Sequence, residues 1–269
     1  MRLDGARERV VSLSPSTTET MFAVGAKSAL VGRSRYCDFP PEARSLPVVG
    51  GYADPNLEAI LSLKPDLVIG ARGPVGPALA ERLKAHGATV YFPETESFAQ
   101  IDTMILGVGE RTGHASDATR VVEAIHAHET AIEEAVRGKK RPRVLLVFGL
   151  TPVIVAGPKS FPNEMIERAG GTNAVREGEG YPLLGMERVI ALDPDMILDA
   201  SMGEAKGAER IHKNAPGWMS LRAVKSGHVV AIEDETALRP GPRVADGLAV
   251  LARAIHPEAK IPDDGSSSP

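Results

Sequence analysis

The sequence predicts an α/β protein of 269 residues that is built from two similar lobes. Residues 56–70 (NLEAILSLKPDLVIG) and 185–199 (GMERVIALDPDMILD) follow one pattern. In each segment, apolar residues at helical spacing precede a proline, and a short apolar strand follows it. Two copies are too few for a solenoid, whose units need several neighbours to bury a core. We therefore expect two lobes that face each other, with a ligand cleft between them.

Strands and helices alternate in the first lobe. Residues 9–14 (RVVSLS) predict an opening strand, and the next segment predicts a helix capped by Ser16 or Thr17. The first repeat copy is followed by a predicted helix at about 77–86 and a predicted strand at 89–92. This alternation is typical of a mostly parallel sheet.

A long helical pattern separates the lobes. It begins near residue 98, is interrupted near Gly113 and ends near Gly138, which suits the end of a helix. The last residues are small, polar and acidic, which is typical of disorder. We predict an N-terminal lobe over 1–111, a connecting long helix over 112–140, a C-terminal lobe over 141–258 and a disordered tail over 259–269.

The second lobe opens with RPRVLLVFG at 141–149, a continuous apolar run that predicts a buried parallel strand. A strand at 153–156, a helix at 161–169 and the second repeat copy are expected to follow. The final helix is predicted to begin near Gly241, because Pro242 suits a first turn.

Composition and motifs exclude several classes of function. The net charge is −4 with acids and bases interspersed, so we expect no basic face for nucleic acid. Serine-hydrolase, zinc-peptidase and phosphate-loop motifs are absent from the sequence, so we predict no catalytic residue and no enzyme. His126 and His128 are two apart on a predicted helix and point to different sides, so we predict no metal site. The single cysteine, Cys37, excludes an intrachain disulfide and is expected to be buried.

The first residues, MRLDGARERV, lack the apolar stretch of a secretory leader. No apolar run reaches the roughly 18 residues that a spanning helix needs. We expect either a cytosolic protein or one whose leader is absent from this chain.

Three tyrosines are notable because aromatic residues form only 4% of the chain. Tyr36, Tyr52 and Tyr181 lie in predicted loops beside glycine or proline, on the same edge of their sheets. Aromatic faces offered from loops suit stacking against a flat or apolar ligand. The alternative is local packing on the neighbouring prolines. Phe148 and Trp218 are predicted to lie in the core instead.

Two arginines are candidate ligand contacts. Arg72 directly follows the first repeat strand, and the carboxyl end of a parallel strand is where open α/β sheets bind ligands. Arg239 lies in a loop rich in proline and glycine in the second lobe. A guanidinium group suits carboxylate, phosphate or amide oxygens. The alternative for both is a salt bridge or a hydrogen bond that fixes the loop, and Arg243 is expected to brace its loop in that way.

Several motifs in this order resemble the helical-backbone substrate-binding proteins of bacterial metal-chelate importers, which are periplasmic, and among them the cobalamin-binding members. The resemblance covers residues 9 to about 256. It is carried by both repeat copies and by four further motifs: RVVSLSPSTTE at 9–19, RYCDFPPEA at 35–43, AGGTN at 169–173 and RPGPR at 239–243.

The resemblance implies two Rossmann-like lobes joined by a single long helix, with the ligand held between them. It implies the substrate-binding protein of an ABC importer, which binds cobalamin or a related corrinoid and delivers it to an inner-membrane ABC permease. Such a protein is periplasmic and monomeric, and it requires no cofactor besides the metal chelate that it carries.

The resemblance also implies ligand-binding residues. Tyr36 stands where a tyrosine of the relatives contacts the corrin, and Tyr52 and Tyr181 match neighbouring aromatics. The other implied contacts lie in the loop before the final helix: Glu235, Thr236, Ala237, Leu238 and Arg239. Thr236 and Ala237 replace a bulky aromatic pair of the relatives, so one wall of the pocket is expected to be more open.

The chain departs from these relatives at the expected permease contacts. The relatives offer two surface glutamates to arginines of the permease, and Pro77 and Leu238 stand near those positions here. Glu81 and Glu164 are the candidates to replace them.

Other functions stay open at this point. One alternative keeps the fold and changes the cargo to haem or an iron siderophore. Haem iron favours a tyrosine or histidine ligand, and the catecholates of a siderophore favour three or more basic residues. Another alternative is a cytosolic enzyme or ligand sensor that reuses the fold. A zinc carrier ranks last, because no set of three histidines and an acid is placed around the expected cleft.

Overall fold

The computed structural model describes residues 9–51, 53–72, 76–201, 210–233 and 235–263, with the backbone alone at 235 and 236. The chain separates into two compact units. Unit 1 contains the described residues up to His126 together with Pro240–Arg243, and unit 2 contains those of Ala127–Arg239 and from Val244 onward. Residues 264–269 of the predicted disordered tail lie outside the described residues.

The described part of unit 1 contains four strands: β1 (Val10–Ser12), β2 (Leu30–Arg33), β3 (Leu67–Ile69) and β4 (Thr89–Tyr91). They form a fully parallel sheet in the order β2-β1-β3-β4, as the alternation predicts. Val11, Ile60 and Leu83 belong to its apolar core. The helices that begin in this unit are α1 (Pro15–Ala23), α2 (Leu57–Ser62), α3 (Gly76–Ala85), α4 (Phe98–Thr112) and α5 (Ala115–Val136). Short 3₁₀ turns are at Lys27–Ala29 and Pro41–Ser45.

The division between the units falls inside α5, which is the predicted long helix. Gly113, in the left-handed conformation with φ 78°, ends α4 directly before it. Glycine reaches this conformation without the steric penalty of a Cβ atom, so the interruption expected at this residue has a local cause.

The first helix begins earlier than the predicted caps allow. Ser14 caps α1, and its hydroxyl accepts a hydrogen bond from the main-chain N–H of Thr17 at 3.4 Å. Pro15 occupies the first turn, where its missing N–H removes no helical hydrogen bond. The prediction of Ser16 or Thr17 as the cap was therefore wrong, because the proline allows the helix to start closer to β1.

Unit 2 has a mixed sheet. Its described strands are β5 (Arg143–Leu150), β6 (Val153–Val155), β7 (Thr172–Asn173), β8 (Leu183–Leu184), β9 (Met196–Asp199) and β10 (Val229–Ala231). The order is β10-β9-β5-β6-β8, with β7 paired to β5. β9 and β10 are parallel to β5, whereas β6 is antiparallel to β5 and to β8. Two residues alone join β5 to β6, and so short a connection requires antiparallel strands.

Two of the helices that begin in the described part of unit 2 precede its repeat strand β9 in the sequence, and two follow it. They are α6 (Phe161–Arg168), α7 (Met186–Leu192), α8 (Arg222–Lys225) and α9 (Val244–Ile255), with 3₁₀ turns at Trp218–Ser220 and Glu235–Leu238. Trp218 is buried with Leu145, Val189 and Ile197, which confirms the prediction that it packs in the core. α9 starts at Val244 rather than near Gly241, because the residues before it pack on α1, where Arg243 bonds to Glu19 and Gly241 lies against Ser16.

The two repeat copies form the same substructure in the two units. α2 leads into β3 and α7 leads into β9, and each of these strands lies beside the opening strand of its own unit. The sequence prediction of one αβ unit built twice is confirmed.

In the first repeat copy, Arg9 binds the carboxyl end of the helix α2. The guanidinium of Arg9 donates to the carbonyl oxygens of Leu63 (2.7 Å from Nη2) and Lys64 (3.2 Å from Nε). The main-chain N–H of Arg9 donates to the carboxylate of Asp66 at 3.1 Å, and the N–H of Asp66 donates back to the Arg9 carbonyl at 2.9 Å. Carbonyls at a helix end lack helical partners, so these bonds satisfy groups that would otherwise need water. We call this set of contacts the arginine clasp.

The second copy has the same arginine clasp. Arg143 donates to the carbonyl oxygens of Leu192 (2.8 Å) and Asp193 (3.3 Å). Its main-chain N–H donates to the Asp195 carboxylate at 2.9 Å, and the Asp195 N–H donates back at 2.9 Å. Asp193 has a φ of 37° and the matching Lys64 a φ of 48°, so both copies end their helix with a left-handed residue before the proline.

Replacement of Arg143 by lysine tests the clasp. Lysine keeps the charge but loses the planar fork that reaches two carbonyls, so we expect R143K to lower the free energy of unfolding by about 1 kcal/mol. Urea denaturation followed by circular dichroism measures the change. Arg137→Lys is the control, because Arg137 is largely exposed beyond the end of α5. Equal loss of stability in both variants would contradict a specific role of Arg143.

Candidate functional site

The four strands of unit 1 are parallel, so the loops after β1, β2, β3 and β4 all leave the sheet where the strands end. We call this the carboxyl edge of the sheet. In the order β2-β1-β3-β4, the connection from β1 to β2 runs toward one side of the sheet, and the connection from β3 to β4 runs toward the other. Such a reversal of strand order is where open α/β sheets form a ligand crevice. Tyr36 lies in the loop after β2, and Arg72 lies in the loop after β3.

Buried hydroxyl groups connect β1 to α1 and β3 at this edge. Ser12 Oγ lies 2.8 Å from Thr17 Oγ1 and accepts a hydrogen bond from Thr18 Oγ1 at 2.8 Å. Ser14 Oγ accepts a hydrogen bond from the main-chain N–H of Ala71 at 3.0 Å, which ties the loop after β3 to the start of α1. These buried groups satisfy one another, as stable buried polar groups must. The hydroxyl cluster therefore connects the loops after β1 and β3 through buried hydrogen bonds.

The loop that carries Tyr36 is bonded to the same region of β1. The main-chain N–H of Ser34 donates to the Ser12 carbonyl at 2.9 Å, and the Ser34 hydroxyl accepts from the N–H of Tyr36 at 3.2 Å. Cys37 is completely buried, as predicted, with its sulfur 3.4 Å from Ser34 Oγ. Tyr36 itself remains 54% exposed. The loop therefore presents an aromatic ring at the surface from a fixed backbone.

A paired cation lies beside that ring. The guanidinium carbon of Arg35 is 5.9 Å from the centre of the Tyr36 ring, within the range of a cation–π contact. The same guanidinium binds both carboxylate oxygens of Asp54, at 2.7 and 3.2 Å. Bidentate pairing fixes the orientation of the fork as well as its position. Tyr52, the second predicted tyrosine, lies outside the described residues.

Arg72 lies at the predicted place, directly after β3, and it forms an ion pair. Its Nη1 is 2.6 Å from Glu94 Oε1, and its main-chain N–H donates to the Pro93 carbonyl at 3.1 Å. The salt bridge that the sequence left as an alternative is therefore present. A contact between Arg72 and a ligand stays a prediction.

The segment Pro240–Arg243 packs on α1 within unit 1. Arg243 donates from Nε and Nη2 to the two carboxylate oxygens of Glu19, both at 2.8 Å. The Glu19 side chain is almost fully buried, and the Arg243 guanidinium carbon is 3.8 Å from the centre of the Phe39 ring. Arg243 thus braces its loop as predicted. Phe39 was missed, although its place in the same RYCDFPP motif as Tyr36 was a signal for it.

In unit 2, Tyr181 is 45% exposed and packs against Phe148. Their ring centres are 5.6 Å apart at an interplanar angle of 63°, an edge-to-face contact. Phe148 is partly exposed, so its assignment to the core was wrong. The reason is its place near the carboxyl end of β5, where the strand leaves the core. Tyr181 lies in the loop before β8, whose Gly180 accepts a hydrogen bond from the Gly157 N–H at 2.8 Å.

The predicted contacts before α9 differ in accessibility. Ala237 is only 1% exposed, and its carbonyl packs so closely on Gly247 of α9 that a side chain there would clash. The Ala237 side chain therefore has no surface to offer to a ligand, which corrects the expectation for this residue. Leu238 and Arg239 are half-buried, and the side chains of Glu235 and Thr236 lie outside the described part of the structure.

Histidines and acids form no metal centre in the described ranges, where no group of three or more His, Cys, Asp or Glu could hold an ion. His126 Nε2 lies 2.7 Å from Asp102, whereas His128 Nδ1 lies 3.9 Å from Asp246. The two rings therefore have different partners, as their spacing predicts. Over the same described ranges, no helix is both long and apolar enough to cross a membrane.

Unit 2 also has a cavity of about 640 Å³ at the amino edge of its sheet. Met196, Val230 and Ile255 give it apolar walls, and Arg222 and Glu258 lie among its charged residues. Its lining includes none of the predicted ligand-binding residues.

Residues 10–236 match the family model described as periplasmic binding protein. The chain belongs to the periplasmic binding protein family. It is 31% identical over 262 residues to a cobalamin-binding protein of Halobacterium salinarum, which covers 94% of this chain and 71% of the relative. It is also 28% identical over 258 residues to an uncharacterized ABC transporter substrate-binding lipoprotein of Bacillus subtilis, covering 93% of this chain and 81% of the relative.

Solved structures show the same fold. A periplasmic haem-binding protein of Pseudomonas aeruginosa superposes with a TM-score of 0.82 at 29% identity, covering 96% of this chain and 95% of that one. A periplasmic vitamin B12-binding protein of Vibrio cholerae superposes with a TM-score of 0.79 at 26% identity, covering 93% and 96%. The predicted family and α/β fold class are confirmed. The ligand cleft expected from the sequence stays a prediction.

Cys37 provides a test of the anchored loop. Burial raises the pKa of the Cys37 thiol. The raised pKa lowers the thiolate fraction, and burial blocks access, so we expect reaction with DTNB at pH 8 to be at least about 100-fold slower in the folded protein than in urea. Absorbance at the thionitrobenzoate band measures both rates. Similar rates in the folded and unfolded protein would show that the loop around Cys37 is open.

Proposed function

We propose that this protein is the substrate-binding component of an ABC importer and that it binds cobalamin or a related corrinoid. The observation that carries this proposal is Tyr36, an exposed aromatic ring on an anchored loop at the carboxyl edge of a parallel sheet. The names of the relatives, a cobalamin-binding protein and an ABC transporter substrate-binding lipoprotein, support the same class of cargo and partner.

Binding of a corrinoid requires stacking and hydrogen bonding and no covalent step. A corrin ring is broad and largely apolar, and amide groups lie along its rim. The Tyr36 ring offers a stacking surface, and because its backbone is held by Ser34, little conformational freedom is lost on binding. Arg35 and Arg72 carry N–H groups that suit the rim amides and the phosphate of the lower ligand.

Both of these arginines already have a carboxylate partner, Asp54 for Arg35 and Glu94 for Arg72. The pairing keeps each guanidinium in place while it neutralises the charge. A neutral cargo with amide groups therefore suits this edge better than a polyanion does. For that reason an iron–catecholate siderophore, which favours several uncompensated cations, is not our proposal.

Unit 2 is proposed to supply Tyr181 and the half-buried Leu238 and Arg239. Tyr181 is oriented by its edge contact with Phe148, so its ring has a defined position.

The proposed partner is an inner-membrane ABC permease, reached from the periplasmic side by a monomer. Glu81 and Glu164 are the proposed docking acids. Glu81 is exposed on α3 and bonds to Lys84 at 3.0 Å, and Glu164 lies in the first turn of α6. Docking through these acids requires no enzymatic step, since release of the cargo to a permease is a change of binding partner.

Haem is the second candidate cargo. The exposed phenol of Tyr36 is a ligand type that haem iron accepts. The structural likeness to the Pseudomonas aeruginosa haem-binding protein supports this alternative.

The variant Tyr36→Phe separates the two cargoes. If Tyr36 stacks on a corrinoid, Y36F should bind cyanocobalamin within about threefold of the wild type and Y36A about tenfold more weakly. If the phenolate binds haem iron, Y36F should lose the shift of the Soret band on haem addition. Calorimetry with cyanocobalamin and cobinamide, and visible spectra with haem, measure these effects.

Met219→Ala is the matched control, because Met219 in unit 2 is 53% exposed, close to the exposure of Tyr36. It should leave both ligands unaffected. A wild-type protein that shows no heat of binding with either corrinoid at micromolar concentration would overturn the corrinoid proposal.

A further inference from the structure

Phe39 lies three residues after Tyr36 on the same loop, and it is 41% exposed. Its ring lies over the guanidinium of Arg243, 3.8 Å from the guanidinium carbon to the ring centre. This distance is well inside the range of a cation–π contact. The contact with Arg243 therefore holds the apolar ring of Phe39 at the surface.

The support under Phe39 is rigid because Arg243 is held by a buried acid. Two bonds of 2.8 Å join its Nε and Nη2 to Glu19, whose side chain is only 3% exposed. A buried carboxylate is strongly unfavourable without its partner, so Arg243 cannot easily swing away. Its bonds to Glu19 use the edge of the planar guanidinium and leave a face for the Phe39 ring.

The backbone of the same segment also packs closely. A Cβ atom at Gly241 would lie 3.4 Å from the Cα of Ser16 at the start of α1. The segment Pro240–Arg243 thus rests on the helix whose start bonds to the loop after β3 through Ser14 and Ala71. Glu19 and Arg243 are 224 positions apart in the sequence, so the contact joins two distant segments of the chain.

We propose that Phe39 is a second stacking residue for the cargo and that Arg243, fixed by Glu19, is the positioning residue that holds its ring. The inference rests on the proposed function and extends it. Tyr36 and Phe39 together present two aromatic side chains from one short loop, so the favoured cargo is a wide, largely apolar macrocycle. A ring whose rotamer is already fixed loses little entropy when it contacts such a ligand.

Substitutions that keep or remove the aromatic ring test this inference. Phe39→Leu retains an apolar side chain and removes the π-system, so it should weaken cyanocobalamin binding about three- to tenfold. Phe39→Trp should bind within about threefold of the wild type, since stacking is retained. Leu106→Ala, at an equally exposed position of α4, is the control and should leave the dissociation constant unchanged. Isothermal titration calorimetry gives the constants.

A double-mutant cycle tests the role of Arg243. Arg243→Lys keeps the charge and loses the bidentate fork, so it should weaken binding about threefold in the wild-type background. If Arg243 acts through Phe39, the same substitution should have no further effect in the F39L background. A merely structural role would weaken binding equally in both backgrounds. Urea denaturation of each variant establishes that the proteins compared are folded.

The outcomes separate this inference from the function on which it rests. If the wild type binds neither cyanocobalamin nor haem, the proposed function fails and the inference fails with it. If the wild type binds and F39L binds equally well, the function stands and the inference is overturned. If F39L binds weakly but R243K has the same effect in both backgrounds, Phe39 contacts the cargo without the help of Arg243, and the positioning role is overturned.

Discussion

The arginine clasp is the contact on which the architecture of each unit depends. In both copies an arginine next to the opening strand binds the carbonyls at the end of the repeat helix and exchanges main-chain bonds with the aspartate that follows the proline. These bonds fix the register between the opening strand and the repeat strand, and Val10 accordingly pairs with Leu67 as Val144 pairs with Met196. Because register sets where every later residue of a strand lies, the clasp at the amino edge also places the loops at the carboxyl edge.

The two units are alike at the amino edge and differ at the carboxyl edge. In unit 1 the opening strand ends after three residues and leads through the buried hydroxyls of Ser12 and Ser14 into a helix. In unit 2 the opening strand continues to Leu150 and returns at once as an antiparallel neighbour. The geometry that the two repeat copies share therefore serves stability, while the loops at the other edge differ in sequence and in the side chains they present.

Charge at the proposed ligand edge of unit 1 is compensated. Arg35, Arg72 and Arg243 each have a carboxylate partner in the structure. Exposed pairs of this kind contribute little to stability, and the buried pair of Arg243 with Glu19 offsets its own desolvation cost rather than adding a large net gain. Their common effect is orientation: each holds a planar cation beside an aromatic ring or at a strand end. For the proposed function, compensated charge suits a neutral macrocycle better than an anion.

Much of the fold followed from local patterns. The repeat copies, the break at Gly113, the long helix α5 and the burial of Cys37 each depend on nearby residues, through periodicity, caps and the preference of small apolar groups for the core. Where local rules competed, as at Pro15, the cap was misassigned by two or three positions. Tyr36 and Arg72 lie at the expected edge of the sheet, while their contact with a ligand stays a prediction.

The sequence by itself determined the elements of this protein, their order and the loops that carry polar and aromatic residues. Tertiary structure alone decided the partners: Arg72 with Glu94, 22 positions away, and Arg243 with Glu19, 224 positions away. The physical reason is that 35 acidic residues are eligible partners in the sequence, and only packing brings one of them within hydrogen-bonding distance. The same packing buried Ala237 in the loop before α9, which no local pattern indicates.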